Sequence, residues 1–281
     1  MLETIESCSE LSVVFIGDTI YDEYHYVEPL GKSPKENIVP TRYVNCEKFI
    51  GGTDAAANHA RSFCKRVTVC SGGTPVRKVR MVDKTYFRKL FEVHYEGKEL
   101  SVKPFDVADI TVITDFGHGF ITKQMIPDLV HNQFVAVNAQ TNSSNIGFNL
   151  ITKYPTADYA VIDEPEARLA AQDRDSPIQD VLIRLAKNRF SKMIITLGKN
   201  GAIGWSEKDG LAYSKAYTDK VIDTMGAGDA FFAVTAPMAK HGSIKDLIKI
   251  GNAAGALKTQ IVGHRSSVTK KELIQFIKDN P

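Results

Sequence analysis

Short apolar runs recur along this chain, and each ends on a glycine or a polar residue. Residues 11–16 stop at Gly17-Asp18, residues 110–114 at Asp115, residues 159–162 at Asp163-Glu164, and residues 193–197 at Gly198. Continuous apolar runs of this length fit strands buried on both faces of a parallel sheet. From residue 110 onward such runs alternate with helix-compatible stretches, the pattern of a parallel α/β sheet. Polar residues just past the C-terminal strand ends lie where open α/β sheets bind ligands. Asp18 is the first of these, though an Asp there also serves simply as a turn or cap former. The sequence therefore points to one ligand cleft along a sheet edge.

The most informative string is Val221-Ile222-Asp223-Thr224-Met225-Gly226-Ala227-Gly228-Asp229-Ala230-Phe231-Phe232. A strand end runs into Gly-Ala-Gly, then into a mostly apolar helix. Small residues leave the turn's N–H groups uncovered at a helix N-terminus, where the macrodipole favours an anion. Asp229 in that first turn is either favourable capping electrostatics or a base beside an anion hole, as phosphoryl transfer to a hydroxyl requires. Gly51-Gly52-Thr53-Asp54 opens a second small-residue helix, with Asn58 on its second turn; this too reads as a ligand approach or as tight packing.

Between these lie extended segments. Residues 19–50 lack helical periodicity and surround a polar loop, residues 31–37, placed as a flap over Asp18. After a strand at residues 67–70, Ser71-Gly72-Gly73-Thr74-Pro75 passes directly into residues 76–82. A turn at Asp83-Lys84 and a returning strand over residues 85–93 complete a basic hairpin bearing Arg77, Lys78, Arg80, Arg88 and Lys89. Its face is either solvated or suited to a substrate phosphate. The spacing also predicts a helix over residues 122–131, capping at Ser243 and Thr269, and a polar loop at residues 262–267 bordering a nucleotide base. His118 reads as a loop histidine.

With 281 residues, 43% of them hydrophobic, the chain can bury a full core, which excludes wholesale disorder. A net charge of +2, from 35 basic and 33 acidic residues, gives no argument for nucleic acid or a membrane surface. Cys8, Cys46, Cys64 and Cys70 have no metal or disulfide spacing, so a reducing cytoplasm is expected. No apolar run has the length of a membrane span, and the acidic N-terminus is unlike a signal peptide.

Taken together, Gly17-Asp18, Gly51-Gly52 with Asn58, Thr196-x-Gly198-x-x-Gly201 and Asp223-Thr-x-Gly-Ala-Gly-Asp229 resemble the motifs of the ribokinase-like (PfkB) carbohydrate kinases, in that family's order. Gly17-Asp-Thr-Ile-Tyr-Asp22, Lys32-Ser33-Pro34, Lys78-Val-Arg80 and Thr114-Asp115-Phe-Gly-His-Gly119 are most similar to heptose-phosphate kinases, the kinase half of bifunctional ADP-heptose enzymes. The resemblance implies a Rossmann-like three-layer α/β/α fold over residues 1–281, read as one kinase domain. It also implies a small β-sheet lid at about 19–50 and 76–95, and one βα unit is missing after residue 71. It implies MgATP as donor, a sugar hydroxyl as acceptor, and a homodimer formed through the lid. By position, Asp229 is the expected base and Gly226, Ala227 and Gly228 the anion hole. Asp18, Asp22, Gly52 and Asn58 would hold sugar hydroxyls, and Lys78 and Arg80 a distal phosphate. Thr196, Gly198, Gly201, Asp223 and Asn252 fall on the nucleotide side, and Asp163 and Glu166 on the magnesium side. The implied reaction is phosphorylation of the C1 hydroxyl of a heptose 7-phosphate. The alternatives are a nucleoside or small-alcohol kinase, or a non-catalytic nucleotide- or sugar-binding subunit. A separate nucleotidyltransferase is a possible partner. Asp163, where the family has Asn, and Asn138, where related kinases have Asp, depart from the pattern.

Overall fold

The computed structural model describes residues 1–72, 75–97, 107–217 and 221–280. In chain order, α1 (Leu2–Glu6) and β1 (Ser12–Gly17) precede a long hairpin of β2 (Thr19–Pro29) and β3 (Thr41–Gly51). Helix α2 (Gly52–Ala60) and β4 (Arg66–Cys70) follow, then a second hairpin of β5 (Val76–Asp83) and β6 (Arg88–Tyr95). Next come β7 (Ile110–Asp115), α3 (Ile126–Val130), β8 (Val135–Ala139), β9 (Ala157–Asp163), α4 (Glu164–Ala171), α5 (Ile178–Ala186) and β10 (Phe190–Thr196). The chain closes with β11 (Ala202–Ser206), β12 (Gly210–Ser214), α6 (Ala227–Met238), α7 (Ile244–Lys258) and α8 (Lys270–Asp279).

The main sheet runs β12-β11-β10-β9-β8-β7-β1-β4; β4 through β10 pair in parallel, and β11 and β12 add an antiparallel edge. Strand side chains alternate between its faces. Val13 and Phe15 of β1, with Tyr159 and Val161 of β9, join the core beneath α2, α6, α7 and α8. Val14, Ile16, Ala160 and Ile162 join the opposite core, with α4 and α5. Both faces are therefore covered, which is why these strands read as unbroken apolar runs, and the layering is the expected α/β/α.

A second sheet, ordered β3-β2-β5-β6, is built from the two hairpins. β4 lies at the main sheet's edge, and the chain passes from it straight into β5, in keeping with the shortened region after residue 71. Gly73 and Thr74 of that turn lie outside the described residues. The Asp83 carboxylate accepts the N–H groups of Thr85 (2.8 Å) and Tyr86 (3.3 Å). That turn delays β6 to Arg88, past the expected start at residue 85. The polar loop at residues 31–37 joins the far ends of β2 and β3, so 11 residues of β2 separate it from Asp18. That is about 35 Å of strand, so residues 31–37 themselves do not cover Asp18; the hairpin arms that carry them form the second sheet. Helix α3 is also shorter than expected, because Pro127 suits a first turn and not an interior. The caps at Ser243 and Thr269 form as read, the latter as a full capping box. Among the described residues no helix is long and apolar enough to cross a membrane.

Candidate active site

The glycine turn meets helix α6 at Gly226, whose φ of +73° is a left-handed conformation that a side chain resists. The first α-helical bond runs from the Ala230 N–H to the Gly226 carbonyl at 2.9 Å. The earlier N–H groups therefore have no helical acceptor, although that of Ala227 turns back to the Thr224 carbonyl at 3.3 Å. Asp229 sits in this first turn. Its Oδ1 accepts a 2.5 Å hydrogen bond from Gln140 Nε2, which also donates to Asn138 Oδ1 at 2.9 Å. Asn138 in turn donates to the Val161 carbonyl at 2.8 Å, so a polar chain anchored in β9 aims the carboxylate. Burial raises the Asp229 pKa; the Gln140 hydrogen bond and the charges of His264 and Lys258 oppose that rise.

Two cavities meet at this turn. One, of about 520 Å³, is lined mainly by apolar groups, including Ala216, Val221, Phe231 and Ala256. Thr196, Gly198, Gly201 and Asn252 also line it, and Asn252 Nδ2 holds its wall through the carbonyls of Ser214 (3.1 Å) and Lys215 (3.0 Å). At Gly201, with φ +92°, an added Cβ would fall 2.1 Å from the Ser214 carbonyl oxygen. The smaller cavity, about 200 Å³, is polar and brings together Gln140, Asp163, Glu166, Gly226 and Asp229; Thr196 and Gly228 belong to both.

Asp163 and Glu166 form the capping box of α4. Asp163 Oδ1 accepts the Glu166 N–H at 2.8 Å, while the Glu166 oxygens accept the N–H groups of Asp163 (2.9 Å) and Thr141 (2.7 Å). Burial, then the Asp163 charge, raises the Glu166 pKa to about 7. These hard oxygen donors suit magnesium, which keeps several of its own waters. With both Glu166 oxygens already bonded, they fit an ion held through those waters.

Asp18, at the C-terminal end of β1, is buried, and its oxygens accept the N–H groups of Phe120 (3.0 Å) and His118 (3.4 Å). Burial, then nearby Asp115, raises its pKa to about 6 despite those bonds. Gly52, with φ +62°, lets α2 start against this junction: a Cβ there would sit 2.4 Å from the Asp18 carbonyl oxygen. Asp22, Lys78 and Arg80 lie on one face of the second sheet, since Asp22 pairs with Lys78 and Tyr24 with Arg80 in register. This is the inner face, where Tyr24 packs near Met225 and Val262. The hairpin cations Lys78 and Arg80 therefore face inward and are largely covered. Arg80 is paired with Asp22 and with Glu92 (2.9 Å), and Asp22 Oδ2 also lies 3.4 Å from His264 Nε2. Lys78 is 9% exposed and has no hydrogen bond or ion pair among the described residues. Burial lowers its pKa, and Asp22 and Asp229 are among the acids that counter this. Nearby His118 has both ring nitrogens buried without a partner among the described residues; burial and Lys78 push its pKa down to about 4.

Two sequence-assigned residues are not brought to the cleft. Asn58 is exposed and accepts from Arg61 Nε at 2.9 Å. It stands off the buried stripe of α2 formed by Thr53, Ala56, Ala57 and Ala60. Asp223 lines neither cavity. Its carboxylate is consumed by Tyr24 (3.0 Å), Lys89 (2.9 Å) and the N–H groups of Gly263 (2.9 Å) and Met225 (3.1 Å). It therefore ties the second sheet to the glycine turn. The loop at residues 262–267 does not border the larger cavity either, because His264 faces Asp22 and Arg265 binds Glu47 at 2.6 Å. No role for Gln140 or Lys258 is legible in the sequence, and His264 is read there only as part of the polar loop at residues 262–267.

The pfkB family carbohydrate kinase model matches residues 131–271, half of the chain. An uncharacterised sugar kinase of Dictyostelium discoideum is 37% identical over 127 residues, covering 38% of this chain and 36% of that protein. The 2-dehydro-3-deoxygluconokinase of Bacillus subtilis is 34% identical over 93 residues, 32% of this chain and 29% of the relative. The bifunctional protein HldE of Desulfatibacillum aliphaticivorans aligns with 97% of this chain at 21% identity, covering 64% of its own length. The matched segments thus span from 29% to 64% of these three relatives. Among solved structures, ribokinase from Thermotoga maritima superposes with a TM-score of 0.75 at 17% identity, covering 95% of this chain and 99% of its own. Arabidopsis thaliana ribokinase, complexed with ribose and ATP, gives 0.70 at 16% identity over 96% and 99%. At these identities the superpositions speak for the fold.

Proposed function

The chain belongs to the pfkB family of carbohydrate kinases, and from that premise we propose that it transfers the γ-phosphoryl group of ATP to a sugar hydroxyl. The observation that carries this reading is Asp229, aimed by Gln140 beside the Gly226-Ala227-Gly228 turn where the two cavities join. The apolar cavity suits the adenosine moiety, with Thr196, Gly198 and Gly201 toward the phosphates. Asp163 and Glu166 would hold magnesium through its waters; the bound ion supplies charge neutralisation on the phosphates. Asp229 takes the acceptor proton as the hydroxyl attacks, and the N–H groups at the start of α6 stabilise charge on the transferring group. In-line attack needs the acceptor between Asp229 and the inner face of the second sheet, which then acts as a lid.

The acceptor class follows from what that face leaves unsatisfied. Arg80 is paired directly with Asp22 and Glu92, whereas Lys78 makes no direct ion pair among the described residues and feels Asp22, Glu92 and Asp229 only at longer range. The Lys78 stem is buried, while its ammonium makes no hydrogen bond among the described residues and is not sealed from the cleft. Such a cation is free to meet an anionic ligand, so we read the acceptor as a sugar phosphate, gripped by Lys78. A heptose 7-phosphate is the leading candidate, supported by the Lys78-Val-Arg80 pattern and by the alignment with HldE. The test is ADP release from MgATP across sugars, sugar phosphates and nucleosides, repeated with Lys78→Ala. Turnover confined to one sugar phosphate, with its kcat/KM lowered about 100-fold by the substitution, is expected. Equal losses for phosphorylated and unphosphorylated sugars would reject the phosphate grip, and preference for a nucleoside would reject the acceptor class.

A further inference from the structure

Lys258, in the last turn of α7, is 0% exposed. Its ammonium donates to three main-chain carbonyls: Gly263 at 2.7 Å, Met225 at 2.8 Å and Ile261 at 3.3 Å. These match the three protons that an ammonium carries. No carboxylate forms an ion pair with it among the described residues; Asp223 and Asp229 act on it only at longer range. A buried cation held by carbonyl dipoles without a direct counter-ion is expensive to maintain. A methionine or leucine would fill the space without that cost, so packing alone does not account for a lysine. Its location does. Met225 immediately precedes Gly226, and a Cβ added at Gly226 would lie 3.2 Å from Lys258 Cε. The ammonium therefore sits directly behind the turn whose N–H groups face the transferring phosphoryl group.

We propose that Lys258 is a tethered monovalent cation built into the phosphoryl-transfer site, a positioning residue that fixes the glycine turn and supplies a positive charge behind it. This rests on the kinase reading above. Three converging carbonyl oxygens make the kind of cage that coordinates a potassium or ammonium ion. Here the side chain fills it, so wild-type turnover should need no free monovalent cation. Lys258→Met shortens the side chain by little more than the ammonium and opens the cage.

The expected result for Lys258→Met is a kcat lowered about 100-fold, the scale of losing one preorganised electrostatic group, with the KM for ATP changed less than about threefold. Potassium or ammonium chloride should restore at least about tenfold of that loss. Lithium or choline chloride at equal ionic strength should not, and the wild type should respond to none of them. Thermal unfolding gives a readout that needs no turnover: potassium or ammonium should raise the unfolding temperature of Lys258→Met and leave the wild type unmoved. If the wild type phosphorylates nothing, the kinase reading fails, while this stabilisation still decides whether the cage takes a cation. Unchanged kcat in a destabilised variant makes Lys258 a mere staple and overturns the proposal. So does a loss, in rate or in stability, that no cation repairs. Should the Met variant not fold, Lys258→Gln keeps N–H donors and drops the charge; a full kcat in that variant would also overturn it.

Discussion

At the scale of single residues, the site is a set of carboxylates held in unequal environments. Asp223 is buried, but the Gly263 N–H and the Lys89 ammonium outweigh that burial and hold its pKa below the usual carboxylate range. Asp18, at least as buried, has no cation beside it and a neighbouring acid, Asp115, and its pKa rises to about 6 from 3.8 despite main-chain N–H donors. A raised acid favours the folded state while protonated, so its contribution is present at low pH and is lost as pH rises from about 4 to about 6. The shift corresponds to about 3 kcal/mol. Replacing Asp18 with Asn removes this penalty. Relative to wild type, Asp18→Asn should gain about 2–3 kcal/mol between pH 4 and pH 7 in urea unfolding, while losing acceptor affinity. A stability difference that does not change with pH would show that Asp18 ionises normally.

Among the elements, the strands were the most legible. Burial on both sheet faces makes β1, β7, β9 and β10 unbroken apolar runs, and the glycine turn announced α6. Helix faces were harder. Asn58 is only one or two positions from Ala56, Ala57 and Ala60, yet about 100° per residue carries it from the packed stripe to solvent. Side-chain targets were least legible where the partner is distant in sequence. Gln140 reaches Asp229 across 89 positions and Lys258 reaches Met225 across 33, so no local pattern reports either contact. The hairpin pair β5–β6 illustrates both sides. Its strands and turn were readable, but which cations face inward depends on pairing with β2, whose register places Lys78 beside Asp22.

Across the whole molecule, the second sheet carries charged and apolar groups on both faces. Its inner face carries Asp22, Lys78, Arg80 and Glu92, while Tyr21, Ile50, Phe91, Val93 and Tyr95 stand exposed on the other side. That face also carries Glu23, paired with Lys48 and Arg77, so its exposed apolar side chains are interleaved with ion pairs, a mixed surface suited to an interaction. We read it as the contact between two lids, and light scattering should find a dimer that Val93→Lys converts to monomer. A monomeric wild type would contradict this. Asp223, bonded to Tyr24 and Lys89 of the second sheet and to the N–H of Met225, links the hairpins to the glycine turn.

All of this converges on Asp229. The most direct test compares turnover and MgATP affinity in wild type and Asp229→Asn, since Asn keeps an oxygen for Gln140 to bond. The account predicts turnover lowered about 10²–10⁴-fold, the range for losing a general base, with MgATP affinity within about threefold of wild type. Turnover that survives the substitution would contradict it, and phosphoryl transfer would then have to be built on another group.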